Sequence, residues 1–425
     1  GGGATTHTSL ILSRSMSSSN STFFPAAPWV LVVACNWFIV AVVTVAGSLV
    51  AACQSMVYLL PGLSLGTRLE ITQALANAWW ILFPFTIEVY GGVSVFWYGD
   101  RIKGGTGMII GNHRSNLDFS VGALIASRAP SLGGCGRLVP LMKNVLKYAP
   151  AVGWVCYLSG AVFLRRRWQE DKSKLTATVD DMVTHYPRPF WLGLYPEGTR
   201  FDEKKRDEAQ EFARKRNAES RSKSSRSNNS SSSSSSSDDA PALMLPILEN
   251  TLLPRKKAFV FFAQHRRLRN CMEHLHDFTI GCDGGDLLLR PFLRGTIRTK
   301  SLHIHTRQIA FDSLPKESRE LEKWLYDCFI EKDRRLTYLN KHGRYPVEDK
   351  YQNSTGQKRH RCLCLCAAFS IWSMIWLFMC STFAHWSVTS VNLFLFVVVL
   401  AHSLRNALKP TPSVPRERRE GKKTH

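Results

Sequence analysis

The sequence predicts an α/β sheet-and-helix domain carried between apolar segments near both ends of the chain. Three observations lead there. From about Tyr98 to Tyr351, short apolar runs alternate with amphipathic stretches, the pattern of strands interleaved with helices. Trp29 to Cys53 contains no charged residue. Two further apolar runs, Cys362–Phe383 and Val388–Leu404, flank a short polar loop at His385.

The elements follow in order. Residues 1–27 are rich in Ser and Thr and are expected to be disordered. At about 1.5 Å per residue, the Trp29–Cys53 run exceeds the roughly 20 residues that a hydrocarbon core requires. Residues 28–97 are therefore expected to be N-terminal membrane-anchoring helices. Within them Ile71–Tyr90, with Trp79, Trp80 and Glu88, either spans or lies in the interface, where Trp is enriched. The domain over residues 98–351 has candidate strands at Met108–Ile110, Leu138–Met142, Ala161–Leu164, Trp191–Tyr195, Leu243–Ile247, Ala258–Phe262 and Ser301–Thr306. Candidate helices are Ser115–Ser127, Trp168–Thr184, Asp202–Arg216 and Lys316–Arg334. Ser220 to Asp239 is nearly all Ser and cannot bury a core, so an insertion over about 217–240 is expected to be disordered.

Residues 352–404 read as a C-terminal transmembrane hairpin. Lys358, Arg359 and Arg361 precede it, and Arg405, Lys409, Arg416, Arg418 and Arg419 follow it. The loop between has no Lys or Arg, so the positive-inside rule places both ends and the middle of the chain on the cytosolic side. Residues 405–425 are then a basic cytosolic tail. Its last residues, Lys422-Lys423-Thr424-His425, resemble a dilysine signal that returns membrane proteins to the endoplasmic reticulum.

The 425 residues hold 55 Lys and Arg against 33 Asp and Glu, a formal charge of +22. Such an excess suits nucleic acid or anionic lipid. The chain shows no zinc-finger spacing, RRM signature or helix-turn-helix pattern, and its apolar runs favour lipid, so no nucleic-acid partner is expected. The 11 cysteines lack disulfide-scaffold spacing, which suits a reducing compartment. Cys362, Cys364 and Cys366 are either juxtamembrane acylation sites or small apolar filler.

Two constellations carry chemistry. In Gly111-Asn112-His113-Arg114-Ser115-Asn116-Leu117-Asp118, a histidine follows an apolar strand and a carboxylate follows a turn later. Histidine is the natural base near neutral pH, and a carboxylate on its other ring nitrogen fixes the tautomer. The alternative is a capped helix start with two ordinary polar residues. In Leu194-Tyr195-Pro196-Glu197-Gly198-Thr199-Arg200, glycine admits close backbone approach, Thr199 and the amides suit phosphate oxygens, and Arg200 can grip a phosphate with its fork. The chain has no Gly-x-Ser-x-Gly nucleophile elbow, and no metal-ligand cluster is expected.

The pair of blocks, His-x4-Asp and then Glu-Gly-Thr-Arg, resembles the phospholipid/glycerol acyltransferase family. Gly160-Ala161-Val162-Phe163-Leu164-Arg165-Arg166 resembles its second block, although Arg165 stands where that block often has an acidic residue. Thr251-Leu252-Leu253-Pro254-Arg255 resembles the fourth. Lys143, Leu146, Pro150, Gly153 and Trp154 also fit. Asn112-His113-Arg114-Ser115, Arg188-Pro189-Phe190-Trp191, Leu253 to Lys257, Asp277-Phe278-Thr279 and Trp324, Asp327, Phe329, Lys332 and Asp333 resemble the eukaryotic lysophosphatidic acid acyltransferases of the endoplasmic reticulum. The resemblance covers roughly residues 70–345.

It implies an acyltransferase domain that moves an acyl group from acyl-CoA, as co-substrate, to the free hydroxyl of 1-acyl-sn-glycerol 3-phosphate, with no cofactor and no acyl-enzyme. It implies His113 as base, oriented by Asp118. Substrate contacts would come from Asn112, Arg114, Lys143, Phe163, Arg166, Glu197, Gly198, Thr199, Arg200 and Pro254, with Arg166 and Arg200 on phosphate. Membrane lipids are the surrounding partner. Other acceptors, lysophosphatidylglycerol or lysocardiolipin, share the same blocks, and an inactive membrane-shaping protein is the reading from a different class.

Overall fold

The computed structural model describes residues 29–129, 132–227, 243–296, 301–346, 361, 363–371, 373 and 386–408. The expected disorder of residues 1–27 and of the Ser-rich stretch over 228–240 lies outside the described residues. So do Cys362, most of 374–385 with the loop at His385, and the tail beyond 408 with Lys422 and Lys423.

Seven strands form one mixed sheet: β1 (Ser94–Gly99), β2 (Gly107–Gly111), β3 (Leu138–Lys143), β4 (Val162–Leu164), β5 (Trp191–Leu194), β6 (His274–Asp283) and β7 (Ser301–Ala310), in the order β1-β7-β6-β2-β5-β3-β4. Neighbours from β6 through β4 run parallel. β7 turns antiparallel to β6, and β1 runs parallel to β7. Strand periodicity of two sends alternate side chains to opposite faces. Ile109 and Trp191 enter one core, while Met108, Ile110, Leu192 and Leu194 enter the other.

The first core packs against α1 (Trp29–Leu59) and α2 (Leu65–Trp80). α1 buries Cys35, Phe38, Ile39 and Ala46 and leaves Trp37, Val45, Leu49 and Met56 exposed. Trp79 and Trp80, expected in a span or an interface, are buried in this core instead. Trp79 Nε1 donates to Val43 O at 2.8 Å. Gly47 makes room for that indole, because a Cβ there would stand 2.8 Å from Trp79 Nε1. Glu88, the charge in the second apolar run, is buried and accepts both its bonds from Arg128, at 2.8 and 3.1 Å. Such a bidentate pair offsets the cost of burying the carboxylate.

The second core lies under three helices whose apolar residues recur at helical spacing. Trp168–His185 contributes Leu175, Val179 and Met182, Lys256–Gln264 contributes Phe259 and Phe262, and Ser318–His342 contributes Leu321, Leu325 and Phe329.

Several expectations are corrected. Ala258–Phe262 is part of the Lys256–Gln264 helix, not a strand. A five-residue apolar run fits both periods, and burial of Phe259, Phe262 and Ala263 at helical spacing decides it. Leu243–Ile247 is irregular rather than a strand. Its neighbourhood bonds to side chains of a long helix, with Leu245 N donating to Asn217 Oδ1 at 2.8 Å and Gln210 Nε2 donating to Leu248 O at 2.8 Å. That helix, Glu203–Ser227, also takes in residues 217–227, the first part of the expected disordered insertion. β1 belongs to the sheet although it begins within the stretch assigned to the anchor, and the expected strands omitted both β1 and β6.

Among the described residues, α1 is the one helix long and apolar enough to cross a membrane, and Val391–Ala407 is a shorter apolar helix. The helix Trp386–Ala407 meets the body through buried Asn406, whose Nδ2 donates to Val89 O at 2.9 Å. Arg361, expected as a flanking cytosolic charge, is buried, as is Cys364, while Cys366 is exposed.

Candidate active site

The sequence blocks meet because four neighbouring parallel strands, β2, β5, β3 and β4, present their carboxyl ends at one edge. Open α/β sheets place ligands at that edge. His113 and Asp118 follow β2, Glu197 to Arg200 follow β5, Lys143 ends β3, and Phe163 and Arg166 lie in and just after β4.

The His113 segment is built around one carboxylate oxygen. Asp118 opens the Asp118–Ala126 helix, and its Oδ2 accepts from Arg114 N at 2.7 Å, Ser115 N at 2.9 Å and His113 Nδ1 at 2.7 Å. Two of those donors are amides that can only donate, so Nδ1 is read as the third donor and Nε2 as the ring's lone pair. The carboxylate is 4% exposed and the imidazole 23%. Only the ring reaches the surface. Tyr195 stacks on it with centroids 4.6 Å apart and planes at 23°, while the Tyr195 hydroxyl donates to Asp118 O at 2.9 Å. Burial pushes that phenol well above its ordinary pKa, so it stays a donor.

The residues around this segment hold it in place. Asn112 is fully buried and brackets β6: its Nδ2 donates to Ile280 O at 2.8 Å and its Oδ1 accepts from Ile280 N at 2.7 Å. Arg114 donates through Nε and one terminal nitrogen to Asp286 at 2.8 and 3.3 Å, through the other to Asn250 O at 2.9 Å, and its guanidinium lies over the Phe201 ring. Glu197 is buried and accepts from His113 N at 2.8 Å and Leu252 N at 3.2 Å. Burial pushes its carboxyl up to about 8, against the pull of those two amides. Of the residues expected to contact substrate, these three spend their polar atoms on the fold.

The others face outward. Arg166, Arg200 and Lys143 are exposed, and Gly198 and Thr199 are half-buried. Pro254 and Phe163 are buried, the latter against Tyr157. Sequence reasoning missed Tyr195 as the ring's stacking partner, Asp286 as the partner of Arg114, and Asp333. Asp333 Oδ1 accepts from Asn250 N at 2.6 Å and Thr251 N at 3.0 Å, holding the loop that bonds Arg114 and Glu197. Tyr195 and Asp333 lie within the sequence blocks already marked; nothing in the pattern pointed to Asp286.

A base oriented by a buried carboxylate, beside unpaired arginines at a sheet edge, defines a class. A family model described as Acyltransferase matches residues 95–274, and one described as Acyltransferase C-terminus matches residues 292–372. Together they span more than half of the chain, which belongs to the acyltransferase family and is an enzyme of that type. Among curated proteins it is similar to 1-acyl-sn-glycerol-3-phosphate acyltransferase 2 of Brassica oleracea, 28% identical over 81% of this chain and 79% of the relative. It is also similar to 1-acyl-sn-glycerol-3-phosphate acyltransferase delta of Homo sapiens, 29% identical over 53% of this chain and 51% of the relative.

Proposed function

We propose that the enzyme transfers an acyl group from acyl-CoA to the free hydroxyl of 1-acyl-sn-glycerol 3-phosphate. The single observation that carries the mechanism is the 2.7 Å bond from His113 Nδ1 to Asp118 Oδ2, with the ring open at the strand ends. His113 Nε2 takes the acceptor's hydroxyl proton. The oxygen attacks the thioester carbonyl carbon, the C–S bond breaks, and the CoA thiolate leaves and takes the proton from the imidazolium. Asp118 holds the ring and stabilises its cationic form. The names of the relatives support the acceptor, and exposed Arg166, Arg200 and Lys143 suit its phosphate and those of CoA.

α1 suits attachment to a membrane, where both acyl-bearing substrates reside. The endoplasmic reticulum, a cytosolic active site and a second anchor from the C-terminal apolar runs complete this reading.

The test is purified protein with acyl-CoA and a panel of lysolipids, assayed for CoA release. Release should require lysophosphatidic acid and exceed that with lysophosphatidylglycerol or lysocardiolipin. His113→Ala should lower kcat by about 10²–10⁴-fold, the usual contribution of a general base. Activity within about twofold of wild type would remove the base role.

A further inference from the structure

Arg255 lies just beyond the residues to which sequence reasoning gave a substrate role. Its backbone N–H donates to Pro196 O at 2.7 Å, which ties it to the turn after β5. Its side chain then crosses Gly198: Cδ, Nε and Cζ lie 3.0, 3.2 and 3.5 Å from where a Cβ at that position would stand. Gly198 has φ of +68°, so glycine is required both for backbone shape and for this crossing. Arg166, after β4, is held at φ of +65°, a conformation that a side chain of its size rarely adopts. Partial burial and then the neighbouring charge of Arg255 lower the pKa of Arg166, which puts the two guanidinium groups within each other's field. Both are exposed. Among the described residues, neither side chain makes a hydrogen bond or an ion pair, although Arg165 and Arg167 on either side of Arg166 both pair with Glu170. Like charges gathered without a carboxylate favour an anion, and two planar forks match the terminal oxygens of a phosphate monoester.

We infer that Arg255 and Arg166 form a cradle across Gly198 for a phosphate monoester, supplied by the headgroup of the lysolipid acceptor. This rests on the acyl-transfer reading above. Distance along the substrates chooses between the two phosphate sources. In 1-acyl-sn-glycerol 3-phosphate the phosphate sits on the carbon next to the reacting hydroxyl. In acyl-CoA a long pantetheine arm separates phosphates from thioester. Gly198 is adjacent to Glu197, which bonds His113 N at 2.8 Å, so the cradle is close to the base. Arg255 is then a residue that selects acceptors ending in a phosphate monoester over those whose phosphate is further esterified.

Kinetics of the purified full chain test this. Arg255→Gln should raise KM for lysophosphatidic acid by about 10- to 100-fold, the span of charge-assisted hydrogen bonds, with kcat and KM for acyl-CoA held within about threefold. Arg255→Lys keeps the stem and the charge and should recover part of the loss. In the Arg166→Gln, Arg255→Gln double variant, KM should rise by less than the product of the single effects, because the two share one ligand. An unchanged KM for lysophosphatidic acid in Arg255→Gln overturns the cradle, and a rise confined to acyl-CoA overturns its assignment to the acceptor. Should wild type transfer no acyl group to lysophosphatidic acid, the underlying reading fails separately. Equilibrium binding of lysophosphatidic acid in detergent micelles then decides the cradle: weaker binding by Arg255→Gln supports it and equal binding overturns it.

Discussion

The loop from His113 to Asp118 and the rim from Gly198 to Arg200 with Arg166 and Arg255 lie at one sheet edge but are built oppositely. In the loop, Asp118 Oδ2 takes three donors, Asn112 is fully used, and Glu197 and Arg114 tie the loop to distant backbone. On the rim, the side chains of Arg166, Arg200 and Arg255 make no hydrogen bond or ion pair among the described residues. A base must be aimed before substrate arrives, so its bonds are satisfied within the fold. A phosphate contact must stay open until substrate supplies its partner.

Breaking the aim should have the largest effect. Asp118→Asn keeps the shape but can place an amide N–H against the N–H groups of Arg114 and Ser115, and kcat should fall on the order of 10²–10⁴-fold. A kcat near wild type at all pH values would show that the ring needs no carboxylate. Asp333→Ala comes next. It strips the acceptor from Asn250 N and Thr251 N, so the protein should lose about 1–3 kcal/mol of stability in denaturant titration, with kcat falling by up to about 100-fold as the loop shifts. A stable variant with full kcat would detach that loop from the catalytic segment.

The smallest effect sharpens the comparison through pH. The Glu197 carboxyl, raised to about 8 by burial, is harder to ionise folded than unfolded. Its contribution to stability is present at acid pH, is lost as pH rises from the ordinary carboxylate range, and is gone above about 8. Wild-type melting temperature should decline across that window, and Glu197→Gln should flatten the decline. Identical slopes for both proteins would show that another group carries the dependence.

What the sequence made legible was local. His113 with Asp118, and Glu197 to Arg200, lie within eight-residue blocks, and the strands before them are short and apolar. The uses of Asn112 and Arg114 were hidden because their partners, Ile280 and Asp286, lie 168 and 172 residues away. β6 was missed for a related reason. His274, His276, Asp277 and Thr279 interrupt its apolar pattern, and buried Asp277 is tolerable only because Lys332 and Arg307 reach it from other elements. The extended segment at 243–247 and the helix at 256–264 defeated pattern reading because tertiary partners, not local period, decide a short run.

The Glu88–Arg128 pair has a mechanical consequence. Arg128 stands just past the helix that Asp118 opens, and Glu88 lies in the segment leading from α2 to β1. Anchor and base therefore move as one piece, with no hinge between them at this point. Whatever depth α1 takes in a bilayer sets the altitude of the imidazole, so a lysolipid must climb to a fixed bench instead of meeting an arm that reaches down.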